Sequence, residues 1–93
     1  MKKESTRVVI HGRVQGVNYR RWLQGEARRR EITGWVRNLP DGGVEAMLHG
    51  TPAAVDGLMH ACHRGPTLAR VDSVHSEPAA YDGPEDFAIK KPE

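Results

Sequence analysis

Residues 7–23 read RVVIHGRVQGVNYRRWL and contain a change of hydrophobic period. In the first eight of these residues, Val8 and Ile10 fall on one face of an extended chain, which is typical of a β-strand. The next four residues break the pattern. From Tyr19 onward the apolar residues follow the period of a helix. The segment therefore predicts a strand, a short loop and a helix that begins near Tyr19, with Asn18 as its N-cap.

The middle of the chain predicts a hairpin followed by a second helix. Strand patterns at residues 32–38 and 44–49 flank the sequence PDGG at residues 40–43. Proline fixes φ and glycine supplies positive φ, so this tetrapeptide is typical of a turn. Thr51 and Pro52 then have the residue types that are favoured at a helix N-cap and at the first helical position.

Two further strand patterns complete the chain, one at residues 68–77 and a short one at 87–89. The element order is therefore β-α-β-β-α-β with a small final strand. Two β-α-β halves of this length fit an antiparallel sheet with both helices on one face. We predict an α+β, ferredoxin-like sandwich that forms a single domain over residues 6–90, with flexible termini at 1–5 and 91–93.

The composition limits what this domain can be. The 93 residues carry 14 Lys and Arg against 12 Asp and Glu, and this net charge of +2 is too small to indicate a nucleic-acid ligand by itself. All apolar runs are far shorter than the ~20 residues of a membrane helix, and the N-terminus does not resemble a secretory signal. Cys62 is the only cysteine, so no internal disulfide can form. We therefore expect a cytoplasmic protein, a monomer, without a membrane or nucleic-acid partner.

The loop between the first strand and the first helix has features of an anion site. The backbone N–H groups of residues 15–19 can point into one concavity, and helix N-termini and such nests bind anions. Arg20 follows in the first helical turn, and its planar guanidinium matches phosphate or carboxylate oxygens. The spacing alone also fits an ordinary strand-to-helix turn with a solvated arginine. Neither of the glycine motifs of nucleotide-binding loops occurs in the sequence.

Asn38 lies where the second strand gives way to its turn. Its side-chain amide offers both a donor and an acceptor, so it can hold a water molecule in a set orientation. On the pattern alone, a turn-forming asparagine explains the residue more simply.

The segments GRVQGVNYR at residues 12–20 and GWVRNLPDGGVE at 34–45 resemble the acylphosphatases. The family pattern is G-x-V-Q-G-V-x-[FY]-R, followed by G-W-V-x-N and a D-G-x-V-E turn. Both motifs occur in the right order and at the right spacing, and the resemblance runs from about Arg7 to Ile89. It implies an enzyme that hydrolyses the carboxyl-phosphate bond of small acyl phosphates to carboxylate and inorganic phosphate.

The resemblance also implies roles for particular residues. Arg20 ends the first motif and binds the substrate phosphate together with the loop amides, whereas Asn38 in the second motif orients the attacking water. A carboxylate leaves without protonation, so we expect direct in-line attack of water with neither a metal nor a cofactor. The expected phosphate-binding amides are those of Gln15, Gly16, Val17, Asn18, Tyr19 and Arg20.

The sequence departs from the family pattern near the end of the first helix. The family often has leucine and then glycine where this chain has Arg30 and Glu31. Glycine there suits a left-handed helix end, and a glutamate in that conformation costs about 1 kcal/mol. The departure concerns local stability and not the chemistry.

Two alternative functions remain open at this point. A non-catalytic accessory module would use the same loop only to bind an anion, as related domains occur within larger carbamoyl-phosphate-handling proteins. Because the sequence ends at residue 93, we expect a free-standing enzyme instead. An RNA-binding domain ranks third, since the arginine run at residues 28–30 is basic but no strand carries the aromatic set of RNA-recognition domains. We expect that run to be a solvated helix face.

Other polar and aromatic residues carry no predicted chemistry. A zinc site needs three or four converging ligands, so we predict that Cys62 is a buried structural thiol between surface residues His60 and His63. His11 is predicted to face solvent. The tryptophans, Trp22 and Trp35, are predicted to be core residues.

Overall fold

The strands and helices occur in the predicted order. A computed structural model of the chain describes residues 2–93. The elements are β1 (Glu4–Arg13), α1 (Tyr19–Arg29), β2 (Thr33–Asn38), β3 (Val44–Gly50), α2 (Pro52–Arg64), β4 (Arg70–Pro78) and β5 (Phe87–Ile89). The predicted ferredoxin-like order, with a small final strand, is therefore confirmed. No helix within residues 2–93 has the length and apolar character needed to cross a membrane.

The five strands form one sheet in the order β4-β1-β3-β2-β5. The four longer strands pair antiparallel as predicted, but β5 pairs parallel with β2, so the sheet as a whole is mixed. The direction of β5 follows from the chain path. Strands β1 and β2 run in the same direction, and the chain reverses once between β4 and β5. Strand β5 therefore adds to the edge of the sheet in the direction of β2.

Both helices pack on one face of the sheet and enclose the core. Helix α1 packs against β2 and β5, whereas α2 packs against β1, β3 and β4. The helical period predicted from Tyr19 onward is confirmed, because Tyr19, Leu23 and Ala27 lie on one side of α1 and are buried. Trp22 is half-buried at the edge of this core. Burial of this side of α1 packs the helix on the sheet. Because only five residues separate the end of β1 from the start of α1, the N-terminus of α1 lies near the end of the sheet where β1 ends.

Trp35 is not a core residue, contrary to the prediction. Because successive residues of a strand point to opposite faces, the buried Val36 places Trp35 on the face without helices. There the indole is flanked by two cations, with Arg37 Cζ 5.2 Å and Lys90 Nζ 4.4 Å from the ring centroid. The ring is therefore in contact with two cationic groups instead of a helix.

An ion-pair network crosses the same open face. Glu45, the buried acidic residue of β3, accepts hydrogen bonds from Arg7 Nε at 2.5 Å and Arg37 Nε at 2.6 Å. Burial alone would raise the pKa of Glu45, but the hydrogen bonds from Arg37 and Arg7 outweigh it and hold the pKa below its ordinary value. The carboxylate thus remains ionised and joins β1, β2 and β3.

The two helices begin in different ways. At α2 the prediction is confirmed, because Thr51 Oγ1 accepts a hydrogen bond from Ala54 N at 3.3 Å and Pro52 follows. At α1 the prediction of a capping side chain is wrong. Asn18 has the N-cap position, but its backbone is left-handed (φ 68°) and its side chain makes no capping hydrogen bond within residues 2–93. An N-cap side chain reaches the helix from an extended backbone, so the first N–H groups of α1 stay uncapped.

Both ends of the described chain contact the sheet. Strand β1 begins at Glu4, which pairs with Gly50, so the ladder starts within the segment 1–5 that was predicted to be flexible. Of that segment, Met1 lies outside the described residues. At the other end, Glu93 N donates a hydrogen bond to Asn38 O at 3.2 Å. The last residue is thus held beside the end of β2.

Glu31 adopts the left-handed conformation that the sequence predicts, with φ 57°. We expect Glu31→Gly to raise the free energy of unfolding by about 1 kcal/mol, because glycine removes the steric cost of this conformation. Urea denaturation of the variant measures the change. Glu31→Ala is the matched control, since alanine removes the carboxylate but keeps the Cβ. If Glu31→Gly is no more stable than Glu31→Ala, backbone strain at this position is not the cause.

Candidate active site

The chain leaves β1 at a bulge. The register between β1 and β4 shifts between His11 and Gly12. Gly12 has φ 131°, and a Cβ there would lie 2.1 Å from the carbonyl oxygen of Arg70, so no other residue fits without moving the backbone. Beyond the bulge, Val14 and Val17 are both buried. These two anchors fix the path of the backbone between β1 and α1.

The backbone of residues 15–20, which we call the amide loop, has left-handed conformations at Gly16 (φ 74°) and Asn18 (φ 68°). Alternation of left-handed and right-handed residues turns successive N–H groups toward one side. Within the described chain, none of the six N–H groups of this loop donates to a protein acceptor. The first helical hydrogen bond runs from Trp22 N to Asn18 O at 3.0 Å. The loop therefore presents six free backbone donors at a helix N-terminus.

Arg20 lies beside these donors in a cavity of about 300 Å³. Its guanidinium has no carboxylate within ion-pair distance anywhere in residues 2–93, and Arg21 is likewise unpaired. The cavity thus combines free N–H groups with uncompensated positive charge, which suits an anion. The lining residues are Val14, Gly16, Asn18, Tyr19, Arg20, Arg21 and Ile89.

The arginine run at the other end of α1 differs from Arg20, because each of its members is paired. Arg28 Nη2 lies 2.7 Å from Asp86 Oδ2, Arg30 Nη1 lies 2.7 Å from Glu26 Oε1, and Arg29 pairs with the other oxygen of Glu26. These pairs reduce the positive potential of that face. The structure therefore does not favour the RNA-binding alternative.

Tyr19 and Cys62 hold the amide loop against α2. The Tyr19 hydroxyl donates a hydrogen bond to the Cys62 carbonyl oxygen at 2.8 Å, and burial raises the pKa of Tyr19 well above its ordinary value. Burial also raises the pKa of the Cys62 thiol to about 11, so the thiol is neutral at pH 7. Neither side chain is suited to proton transfer or nucleophilic attack at that pH.

The prediction of a buried thiol between surface histidines is confirmed. Cys62 is fully buried, whereas His60 and His63 are exposed and each places its Nδ1 against a carbonyl oxygen of its own helix. Across residues 2–93 there is no cluster of three or more His, Cys, Asp or Glu side chains with the arrangement of a metal site.

Asn38 lies at the same end of the sheet as the amide loop. It pairs with Val44 across β2 and β3, and Val44 pairs with Ile10 across β3 and β1. Asn38 is therefore two strand spacings, or roughly 10 Å, from the strand that leads into the loop. Its Oδ1 is buried and has no hydrogen-bond partner among residues 2–93. A buried acceptor of this kind needs a donor from outside the chain, and water can supply it.

The turn after Asn38 does not depend on the Asn38 side chain. In the hairpin turn (residues 39–43), Asp41 Oδ1 accepts a hydrogen bond from Gly43 N at 2.9 Å. Asp41 thus makes the side-chain contact that the turn-forming alternative assigned to Asn38. Among residues 2–93, the Oδ1 of Asn38 is therefore left without a hydrogen-bond partner.

The Gln15 side chain is the feature of the site that sequence reasoning missed. The prediction used only its backbone N–H, but its side-chain Nε2 also donates to the carbonyl oxygens of Leu39 and Gly43, at 2.8 Å each. The signal in the sequence was a polar side chain in an otherwise apolar anchor segment, between the buried Val14 and Val17. Its partners could not be found without knowing that the amide loop and the hairpin turn are neighbours.

Comparison with known proteins gives consistent results at the levels of family, sequence and structure. The acylphosphatase family model matches residues 6–89. An acylphosphatase of Alcanivorax borkumensis is 52% identical over 75 residues, which are 81% of this chain and 82% of that protein. The structure of an acylphosphatase from Coxiella burnetii superposes with a TM-score of 0.90 at 31% identity, covering 95% of this chain and 93% of the other.

The same fold also occurs within a larger chain. The crystal structure of Thermococcus kodakarensis HypF matches 95% of this chain with a TM-score of 0.82 at 27% identity, but the match covers only 12% of HypF. The fold therefore occurs both in a protein of similar length and as a small part of a larger one.

Proposed function

Because this chain belongs to the acylphosphatase family, we propose that it hydrolyses the carboxyl-phosphate bond of acyl phosphates by direct in-line attack of water, with Arg20 and the amide loop binding the phosphate and Asn38 orienting the water. One observation carries these assignments. Among residues 2–93, the amide loop has six unpaired backbone N–H groups, and four of its residues (Gly16, Asn18, Tyr19 and Arg20, whose guanidinium is also unpaired) line one cavity. Such a set of donors is complementary to a phosphate dianion and needs no other positive charge.

The amide loop and Arg20 act on the phosphoryl group that is transferred. In the loose transition state of phosphoryl transfer, negative charge is spread over the three peripheral oxygens. Donors that are already aimed at these oxygens stabilise the transition state without reorganisation. The buried anchors Val14 and Val17 keep the donors in place, and the planar guanidinium adds two parallel hydrogen bonds.

Asn38 acts on the attacking water. Its Oδ1, which has no partner among residues 2–93, accepts a hydrogen bond from the water and so turns a lone pair of the water oxygen toward phosphorus. An amide is too weak a base to remove a proton from water. The proton therefore passes to an oxygen of the substrate phosphate as the P–O bond to water forms and the bond to the acyl oxygen breaks.

The leaving group explains why so few side chains suffice. A carboxylate is the conjugate base of a strong enough acid to leave without protonation, so no general acid is required. Neither Tyr19 nor Cys62 is suited to supply one at pH 7, because burial raises the pKa of each. The leaving group of a phosphate monoester is an alkoxide or phenoxide, which is far more basic than a carboxylate, so monoesters are expected to be poor substrates. Neither a metal nor a phosphoenzyme is needed.

The experiment is hydrolysis of benzoyl phosphate in ¹⁸O-labelled water with excess EDTA. We expect full activity with the chelator, a single ¹⁸O in the inorganic phosphate and none in benzoate. A phenyl phosphate control is expected to react at least 10³-fold more slowly, because its leaving group is a poorer one. Label in benzoate, or a trapped phosphoprotein, would contradict direct attack of water on phosphorus. Phosphate binding without turnover would identify the accessory anion-binding module instead.

We also propose that the chain acts as a cytoplasmic monomer with a single domain over residues 6–90. The free thiol of Cys62 suits a reducing compartment. The large apolar side chains exposed within residues 2–93 are Leu68 and Ile89, and Ile89 lines the cavity. An apolar patch of the size of a subunit interface is thus not present in that range. Sedimentation at the mass of two chains would contradict the monomer.

A further inference from the structure

The Gln15 side chain connects the amide loop to the two residues that close the hairpin turn. Nε2 donates one hydrogen to Leu39 O and one to Gly43 O, each at 2.8 Å. The same two residues close the turn, because Leu39 N donates to Gly43 O at 2.9 Å. The two N–H groups of the Gln15 side-chain amide therefore bind the first and the last residue of the turn, and the first of these directly follows Asn38.

A second contact, from His11 in β1, also fixes the position of the hairpin turn. His11 Nε2 lies 3.0 Å from Asp41 Oδ2, while the other oxygen of Asp41 accepts a hydrogen bond from Gly43 N. A Cβ on Gly43 would lie 2.9 Å from the His11 ring, so the turn rests closely on this imidazole. The turn is therefore fixed by β1 through His11 and by the amide loop through Gln15.

We propose that Gln15 is a positioning residue that sets Asn38 relative to the bound phosphate. This inference rests on the proposed role of Asn38. The Oδ1 of Asn38 has no partner within residues 2–93, so the side chain depends on its backbone for position. The backbone of Asn38 is continuous with the turn that Gln15 holds. Gln15 belongs to the amide loop, so its side chain fixes the position of Asn38 relative to the N–H groups that bind phosphate.

Alignment of a nucleophile is sensitive to small shifts. A displacement of about 1 Å can cost on the order of 10²-fold in rate. Without the two hydrogen bonds from Gln15, the turn keeps its internal hydrogen bonds and its contacts with His11. Within residues 2–93, none of these remaining contacts connects the turn to the amide loop. We therefore expect Asn38 to sample orientations that do not align the water.

The contribution of the Gln15 side chain can be separated from that of its backbone. Gln15→Met keeps the backbone N–H of the amide loop and nearly the same side-chain volume but removes both donors. We expect kcat for benzoyl phosphate to fall about 10- to 100-fold. The inhibition constant for inorganic phosphate is expected to stay within about twofold, because the phosphate donors are unchanged. Gln15→Asn, whose amide is one methylene short of the turn, should behave in the same way and replaces Gln15→Met if that variant does not fold.

Gln24→Met is the matched control. Gln24 Nε2 also donates to a backbone carbonyl oxygen at 2.8 Å, but its partner is Phe87 in β5 and not the hairpin turn. The Gln24→Met variant therefore loses the same side-chain amide but leaves the hydrogen bonds between Gln15 and the hairpin turn in place. We expect its kcat to stay within about twofold of the original chain.

A double-mutant cycle tests whether Gln15 acts through Asn38. In an Asn38→Ala background, Gln15→Met should change kcat by less than about twofold, since the oriented group is already absent. An equal loss in both backgrounds, a kcat unaffected by Gln15→Met, or a phosphate inhibition constant that weakens as much as kcat falls overturns the proposal. If Asn38→Ala itself turns over normally, the role of Asn38 fails first and this inference fails with it.

Discussion

Replacement of Arg20 with alanine is expected to abolish both phosphate binding and turnover. The guanidinium is a charged donor in the cavity and is free of carboxylate partners within residues 2–93, so all of its charge acts on a bound anion. Arginines that stabilise a transferring phosphoryl group contribute on the order of 10³- to 10⁵-fold in rate. We expect kcat/KM for benzoyl phosphate to fall by at least ~10³-fold. The inhibition constant of inorganic phosphate should rise beyond the measurable range.

Two further variants test whether the effect is specific to the Arg20 guanidinium. Arg20→Lys keeps the charge but not the planar pair of donors, so it should recover only a small part of the lost activity. Arg64→Ala removes an arginine that is also unpaired in the described chain but lies at the end of α2. Its effect should be less than about twofold and measures the general loss of positive charge. If Arg20→Ala and Arg64→Ala behave alike, Arg20 has no specific role in phosphate binding.

The parts of the fold that the sequence predicted correctly are those in which local and tertiary preferences agree. The start of α2 is an example, because Thr51 and Pro52 favour a helix N-terminus in any context and the buried Val55 follows at the correct spacing. Trp35 shows the opposite case. A large aromatic residue favours burial, but Val36 takes the core-facing position and β-strand alternation puts Trp35 outside. The strand period outweighs the preference of the single residue.

The amide loop was predictable for its donors and less so for its geometry. Gly16 and Arg20 are readable as a turn followed by a cation, and the structure places both at one cavity. Asn18 was expected to cap α1, although a capping side chain would occupy a donor that an anion needs. Its left-handed backbone and unused side chain leave the helix N-terminus free. Local preference thus gave the wrong conformation at a residue within the amide loop.

The contacts between the two motifs could not be predicted from the sequence. Gln15 reaches the carbonyl oxygens of Leu39 and Gly43, and His11 reaches Asp41, only because β3 brings β1 and β2 to the same end of the sheet. Side-chain partners of this kind depend on register and on the exact path of two loops. Hydrophobic period predicts neither.

Asn38→Ala is expected to separate turnover from binding. Asn38 lies at the end of β2 and does not belong to the amide loop, so its removal leaves every proposed phosphate donor in place. The variant should keep the inhibition constant of inorganic phosphate within about twofold. Its kcat for benzoyl phosphate should fall by about 10²- to 10³-fold, comparable to removal of one preorganised hydrogen-bonding group elsewhere.

The pair of variants therefore has a crossed pattern that a merely structural defect does not reproduce. Arg20→Ala should lose binding and turnover together, whereas Asn38→Ala should lose turnover alone. Thermal unfolding serves as the control, and we expect the Asn38 variant to be as stable as the original chain or more so, because it removes a buried acceptor that has no partner within residues 2–93. A parallel loss of phosphate affinity in Asn38→Ala would place Asn38 among the binding groups. Near-normal turnover in both variants would refute the assignment of both roles, because water would then be aligned, and phosphate held, by other groups.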